Sequence, residues 1–201
     1  MPVANRYFGA FQDGSLKVRG IEARRRDTPR FIAETQMEML ALLAGASGEN
    51  ELAGRLPAVL ALLRRRLSAL RAGRVPLEWL LVSQKLSRDV EKYRSPSPAA
   101  ISAAQLAAVD KTVKPGQRVR FLLTRGEPGV HAWDLPNLPP QAAIDVPRYA
   151  ELLIRAVRTL LEPQGIAEAD LRRWLKAGGK PVCQLRFSWG RSKPLIKPAS
   201  K

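Results

Sequence analysis

The residues of this chain that most clearly indicate a binding chemistry are its lysines and arginines. They number 34 against 18 aspartates and glutamates, and they give the chain a formal net charge of +16. This excess is larger than solubility requires and favours a polyanionic partner, with nucleic acid as the first candidate. A basic protein at a membrane surface is the alternative, but no apolar run approaches the ~20 residues of a spanning helix, and no signal-peptide pattern opens the chain. We therefore expect a soluble, cytoplasmic, nucleoid-associated protein that binds no membrane.

Metal and nucleophilic chemistry find little support among the residue types. The chain has one cysteine, Cys183, and one histidine, His131, so it cannot assemble an ordinary Cys/His zinc site. Cys183 would need His131 as its base, and inert packing explains this thiol better. The paired carboxylates Glu168 and Asp170 stand at the start of a predicted helix, where acidic side chains complement the helix dipole. We predict no catalytic residue and no metal site in this chain.

The N-terminal half predicts a hairpin followed by two helices. Residues 6–21 form two alternating segments around Asp13-Gly14, a pattern typical of a β-hairpin. A first helix runs from Pro29 to about Ala44, and residues 45–50 form a loop. A second helix begins at Leu56 or Pro57 and ends near Ala72. The apolar periodicity predicts these inward-facing side chains: Phe31, Met37, Leu40, Leu43, Val59, Leu60, Leu63, Leu67 and Leu70.

The C-terminal half is more mixed. It predicts a short strand at residues 80–82, a helix from Ser97-Pro98 that carries Ile101, Leu106 and Val109, and a strand at residues 118–123. A proline-rich loop at residues 127–147 leads to a helix capped by Asp145 and a shorter one at residues 167–176. The fold class is thus α+β, an N-terminal hairpin followed by a mainly helical body with a small β element. Residues 186–201 predict a basic, flexible tail.

Several separated segments resemble, in order, the C-terminal part of family B DNA polymerases, over roughly residues 5–175. Arg6-Tyr7 resembles the end of the family's Lys-Lys-Arg-Tyr motif. Residues 18–22 and Arg25-Arg26-Asp27 resemble its (Lys/Arg)-Gly-x-Glu and Arg-Arg-Asp elements, where the catalytic palm domain meets the DNA-gripping thumb domain. Residues 86–93 resemble a thumb segment in which a basic residue and a tyrosine meet the duplex backbone. Further counterparts fall at residues 98–107, 113–119 and 145–149, and the joint order carries the resemblance.

The resemblance implies a domain division and a set of DNA contacts. Residues 1–27 would be the C-terminal edge of the palm, residues 28–185 the thumb, and residues 186–201 the tail. The DNA-binding residues that it implies are Arg6, Tyr7, Lys17, Arg19, Arg25, Arg26, Lys85, Arg88, Lys92 and Tyr93. Each cation could equally be a solvated surface charge, and each tyrosine an aromatic at the edge of the core with a wetted hydroxyl. The run Arg64-Arg65-Arg66 is interpreted as an exposed helix face.

The departures from the family pattern are as informative as the matches. Ala4-Asn5 stands where the motif usually has lysines, and neither aspartate motif of the palm is present. Those aspartates hold two metal ions, so the resemblance places Mg²⁺ in a partner's palm and predicts no cofactor in this chain. The fingers and the exonuclease segment are also missing. Because the chain begins with Met at the edge of the conserved block, we expect the smaller product of a split gene or a shortened chain.

The expected partners are primer-template DNA and a larger subunit that carries exonuclease, palm and fingers. A two-stranded hairpin is too small to be stable by itself, so we expect it to dock on that subunit's palm through Phe8 and Phe11. Residues 184–189 faintly resemble a peptide that binds a sliding clamp. Two alternatives remain open: a stand-alone, sequence-nonspecific nucleic-acid-binding protein, and an RNA-associated protein of the ribosomal type.

Overall fold

The computed structural model describes residues 7–11, 15–44, 46 and 49–176. Predictions that concern Arg6, the Asp13-Gly14 turn, Cys183, the clamp-like segment at 184–189 and the tail lie outside these residues. The described chain is mixed α and β, with an N-terminal antiparallel hairpin, which confirms the predicted fold class. In chain order its elements are β1 (Tyr7–Ala10), β2 (Leu16–Arg19), α1 (Arg30–Ala44), α2 (Glu49–Arg71), β3 (Val82–Lys85), α3 (Pro98–Ala107), β4 (Arg118–Leu123), β5 (Val130–Ala132), α4 (Val146–Leu161) and α5 (Glu168–Lys176).

The main core is formed by α1, α2 and α4 together with the three-stranded antiparallel sheet β3-β4-β5. Helix α1 contacts both α2 and α4. Nearly all the predicted inward-facing residues of α1 and α2 are buried; Met37 is half-buried. A smaller apolar cluster lies beneath α3, which packs on β4 and β5. Within α3, Leu106 is buried and Ile101 is half-buried, whereas Val109, predicted to belong to the helix, lies beyond its end and is exposed.

Helix α2 begins at Glu49, about two turns before the predicted start at Leu56 or Pro57. Pro57 therefore lies inside the helix, where it removes one backbone hydrogen bond. Leu56 is buried in the main core and Leu52 packs against it. Burial of these two side chains outweighs the local preference of proline for a helix start, so part of the predicted loop at residues 45–50 is helical.

The strands of the central sheet differ from the sequence prediction in two places. The strand expected at residues 80–82 instead spans Val82–Lys85, because Val82 pairs with Phe121 and Lys85 with Arg118. Strand β5 forms inside the predicted proline-rich loop and pairs with β4. The position of β3 depends on pairing with β4, which lies far along the chain, and local periodicity cannot signal such pairing. Strand β5 follows β4 after a short connection, and its pairing with β4 extends the sheet into the predicted loop.

Tyr149 connects α4 to the central sheet and to the segment just before β3. Its side chain is fully buried, and its hydroxyl donates to the Leu80 carbonyl oxygen (2.8 Å) and accepts from the Leu123 amide (2.9 Å). Burial raises the pKa of this phenol well above its ordinary value of 10. The hydroxyl therefore stays protonated and bridges two chain segments that share no regular pairing with each other.

A buried polar network holds the segment between the hairpin and α1. Gly20 adopts a left-handed conformation (φ 72°), which turns the chain from β2 into the short helical turn Glu22–Arg24. Gln36 of α1 accepts from the Ala23 amide and donates to Glu22 Oε2 and to the Ala156 carbonyl oxygen. Thr159 of α4 donates to Glu22 Oε1 at 2.9 Å. The Arg-Gly-x-Glu element thus anchors the hairpin to two helices.

Ion pairs hold α5 against α4. Arg172 pairs with Glu151 of α4 (2.6 Å) and with Glu168 (2.7 Å), and Arg158 of α4 also pairs with Glu168 (2.9 Å). The Arg172 guanidinium, followed by Arg158, holds the pKa of Glu168 below its ordinary value of 4.5. Arg172 lowers the pKa of Glu151 in the same way. Glu168 therefore has a structural role.

Acidification is expected to loosen α5 selectively. Carboxylates with lowered pKa values stabilise the folded state above their ordinary pKa, and this contribution is lost as pH falls through the lowered values. Protection of the α5 amides in hydrogen exchange should therefore drop below about pH 4, because the ordinary pKa is 4.5, while α1 keeps its protection. Glu168→Gln should weaken α5 at neutral pH and flatten its pH dependence. Equal pH profiles in wild type and variant would contradict this role.

Candidate nucleic-acid interface

The outer face of the hairpin carries two aromatic and two basic side chains. Tyr7 pairs with Arg19 in the strand register, and Gly9 pairs with Lys17, so these residues share a face with Phe11. Tyr7 is 43% exposed and Phe11 is 54% exposed. The Lys17 ammonium lies 5.8 Å from the Tyr7 ring centroid and 5.9 Å from that of Phe11. The face combines cations with flat apolar surface, which suits contact with a nucleic acid or with another protein.

The same register separates the two phenylalanines predicted as a partner interface. Phe8 pairs with Val18 on the inner face, where both pack against the main core beside α1. Phe11 lies on the outer face. The hairpin thus already buries its inner face within this chain, and of the two phenylalanines Phe11 is the one available to a partner.

Arg25 and Arg26, the two junction arginines, differ in whether an acidic side chain neutralises their charge. Arg25 makes a bidentate ion pair with Asp27, with Nε–Oδ1 at 2.9 Å and Nη2–Oδ2 at 2.7 Å. This pair lowers the pKa of Asp27 and raises that of Arg25. Arg26 is exposed and makes no ion pair with the described residues. Arg26 is therefore the better candidate for a phosphate contact at this point.

The segment at residues 85–93 forms a compact basic surface. The Arg88 guanidinium lies 5.4 Å from the Tyr93 ring centroid, and the Tyr93 hydroxyl lies 2.8 Å from Ser87 Oγ. That hydrogen bond is the main cause of the lowered pKa of Tyr93. Lys92 pairs with Asp89 at 2.7 Å, which raises the pKa of the lysine. Arg88 thus presents its charge over a fixed ring, whereas part of the Lys92 charge is compensated.

Arg118 joins the predicted residues although sequence reasoning did not select it. It pairs in register with Lys85, and its guanidinium donates to the Ser83 carbonyl oxygen at 2.9 Å. After Arg25, Arg118 also contributes to the lowered pKa of Asp27. The sequence pattern that could have identified Arg118 is the alternation of Arg118 and Arg120 with apolar residues, which places both arginines on a polar strand face.

The arginine run of α2 is mostly engaged in internal contacts. Arg64 donates to the Trp174 carbonyl oxygen at 2.5 Å, and Arg66 pairs with Glu38 of α1. Arg65 remains exposed. Of the four tryptophans, Trp79, Trp133 and Trp174 pack half-buried against the main core, and Trp189 lies outside the described residues. These three are structural aromatics, so base stacking on them is not supported.

The described part of the chain contains neither a metal-binding cluster nor a membrane-spanning helix. Within residues 7–11, 15–44, 46 and 49–176, no group of three His, Cys, Asp or Glu side chains is arranged to hold a metal ion. The described carboxylates therefore do not fit the Mg²⁺ ions of a polymerase palm. None of the helices described combines the length and the apolar composition needed to span a bilayer.

Comparison with known proteins gives one consistent result. The profile of DNA polymerase family B matches residues 4–163. DNA polymerase 1 of Sulfolobus acidocaldarius is 26% identical over 162 residues, covering 80% of this chain and 18% of the relative. A DNA polymerase of Thermococcus litoralis is 29% identical over 174 residues, covering 83% of this chain and 10% of the relative. This chain therefore spans less than a fifth of the length of either protein.

The fold agrees with the sequence comparison. The structure of the family B DNA polymerase from Pyrobaculum calidifontis matches with a TM-score of 0.64 at 22% identity, covering 81% of this chain and 21% of that one. The matched segment of the family profile contains Tyr7, Lys17, Arg19, the junction arginines and the basic segment at 85–93. The chain belongs to DNA polymerase family B.

Proposed function

We propose that this chain is the DNA-binding thumb, with the last edge of the palm, of a two-chain family B DNA polymerase. It grips primer-template duplex and completes the enzyme together with a larger chain that carries exonuclease, palm and fingers. The observation that carries the proposal is the family match over residues 4–163, which coincides with a fragment of strong positive charge. The Mg²⁺ ions of such an enzyme would belong to the larger chain.

The proposed grip is electrostatic. Lys17, Arg19 and Arg26 are exposed near the hairpin, and Lys85 and Arg88 are exposed on the thumb segment. A cation that neutralises a phosphate releases counterions, and such contacts position a protein on DNA without reading its sequence. A polymerase needs this property because it must hold every sequence that it copies.

The proposed contact with the larger chain can be tested at Phe11. Phe11→Glu is expected to leave this chain folded, because the side chain is 54% exposed, and to weaken association with the larger chain at least tenfold in the absence of DNA, since charged residues are unfavourable in an interface core. Leu138→Glu, at a 48% exposed loop leucine, is the matched control. Association can be measured by sedimentation and folding by thermal unfolding. Undiminished association of the Phe11 variant would contradict this contact.

Phe8 should not be used for the same test. It packs against the main core, so a glutamate there is expected to destabilise this chain itself. Loss of association in a Phe8 variant would therefore report on folding of the hairpin and not on the interface.

Primer extension tests the whole proposal. The assay compares this chain, a larger chain that contains the palm aspartates, and their mixture at matched salt. Synthesis or processivity that appears only in the mixture supports a two-chain polymerase. If the mixture behaves like the larger chain by itself while this chain still binds duplex, the proposed subunit role is wrong and a stand-alone binding protein is the better explanation.

A further inference from the structure

A pocket of about 270 Å³ lies between the junction segment, the central sheet and α4. Val82 and Gln84 of β3 and Phe121 of β4 line one side, and Leu152 of α4 lines another. Its volume is near the lower end, roughly 300 Å³, of pockets that hold small molecules. The pocket therefore has room for one compact ligand.

The charges around the pocket are unequally compensated. Its lining includes Arg25, Arg148 and Arg155, together with Glu22 and Asp27. Asp27 is occupied by Arg25 in a bidentate pair. Both oxygens of Glu22 already accept hydrogen bonds from the neighbouring helices. Arg148 and Arg155 are exposed and form no ion pair with the described residues. Arg155 interacts electrostatically with the Glu151 carboxylate one turn away, but that carboxylate is itself paired with Arg172, so the pocket rim keeps a net positive charge.

These two arginines are placed to act together. They are seven residues apart on α4, which puts them on one helix face about 10 Å apart along the axis. The half-buried Leu152 lies between them on the same face and also lines the pocket. One guanidinium group can donate two parallel hydrogen bonds to the oxygens of a phosphate. An anion at this rim would therefore be held by planar, directional contacts.

The rest of the lining indicates more than a bare phosphate. Thr28 and Gln84 carry side-chain polar groups that make no hydrogen bond with the described residues. The apolar side chains beside them would stay in contact with water if only an inorganic ion were bound. We propose that this pocket binds a single nucleotide, with the phosphate at Arg148 and Arg155 and the base among Thr28, Gln84 and Leu152.

None of the cations proposed for the duplex grip lines this pocket, and the pocket does not require a larger subunit. The nucleotide could be free or could be an unpaired residue at the end of a DNA strand, because both present the same phosphate and base. A duplex without unpaired ends could not place a base in so small a pocket.

The test uses the full 201-residue chain and titration calorimetry with a deoxynucleoside monophosphate. The variant Arg148→Lys with Arg155→Lys keeps the charge but loses the paired geometry, and Arg65→Lys with Arg74→Lys is the matched control at exposed arginines outside the pocket lining. We expect the pocket variant to bind the nucleotide roughly tenfold more weakly or worse, and the control to match wild type. Inorganic phosphate and the unphosphorylated nucleoside should each bind more weakly than the nucleotide.

Equal nucleotide affinity in the two variants would overturn the proposal, as would absence of nucleotide binding by the wild-type chain. Competition experiments show whether the bound nucleotide is free or part of a DNA strand. If DNA with an unpaired overhang displaces the nucleotide and blunt duplex does not, the site binds a strand end. Lack of displacement by either assigns it to free nucleotides. Duplex affinity measured on the same samples reports separately on the proposed thumb function, since both variants keep the full charge.

Discussion

The affinity of this chain for duplex DNA is expected to fall by roughly a thousandfold between about 50 and 200 mM salt. About six phosphate contacts produce a loss of that size through counterion release. The exposed cations proposed for the grip are Lys17, Arg19, Arg26, Lys85 and Arg88, and the exposed Lys92 beside them has part of its charge compensated by Asp89. Fluorescence anisotropy with a labelled duplex over a salt series measures the slope. A flat salt dependence would contradict an electrostatic grip.

Single substitutions sharpen this prediction. Arg26→Ala and Arg88→Ala should each weaken binding and reduce the salt slope by about one, equally for duplexes of different sequence. Arg66→Ala is the contrasting control, because Arg66 pairs with Glu38 and its charge is already compensated. A slope that changes as much in the control as in the other two variants would show that overall charge, and not these positions, determines binding.

Replacing Gln36 with leucine is expected to lower the free energy of unfolding by about 3–5 kcal/mol, because two polar groups lose their partner at roughly 1–3 kcal/mol each and a helical carbonyl oxygen loses a second hydrogen bond. The affected groups are the Ala23 amide, the Ala156 carbonyl oxygen and one oxygen of Glu22. Gln36 itself is fully buried, so water cannot easily replace its amide. Chemical denaturation of the wild type and the variant gives this difference directly.

The Gln36 network should also control the hairpin. Gln105→Leu is the matched control, because Gln105 likewise bridges two backbone groups, the Val130 carbonyl oxygen and the Ala132 amide, but in the central sheet. Hydrogen exchange should show faster exchange of the β1 and β2 amides in the Gln36 variant and faster exchange of β5 in the control. If the hairpin keeps its protection in the Gln36 variant, its anchoring lies elsewhere.

Elements with strong local signals were predictable from the sequence. Ser97 caps α3 by accepting from the Ala100 amide, and Asp145 caps α4 by accepting from the Arg148 amide. Both caps lie directly before a proline or one residue from it, and each is followed by apolar periodicity. The alternation around the Asp-Gly turn likewise predicted the hairpin strands. In all of these the stabilising contact lies within a few residues, so it is visible in sequence.

The α2 start and the position of β3 depended on partners that lie far along the chain. Leu52 and Leu56 extend α2 because a core is present to bury them, and β3 and β5 exist because β4 lies between them. Local propensity carries no information on either point. The sequence also could not distinguish Phe8 from Phe11 as contacts for a partner chain. Only the packing of the hairpin against α1 shows that Phe8 faces inward.

By itself, the sequence determined the chemical class of the protein: a basic chain with family-like segments in order and without the palm's aspartate motifs. The tertiary structure decided which of the cations are free. Arg64 meets the Trp174 carbonyl oxygen across 110 residues of chain, and Arg66 meets Glu38, whereas Arg148 and Arg155 are left facing a pocket. The physical reason is that charge is a property of a residue, but its compensation depends on neighbours that only folding brings within a few ångströms.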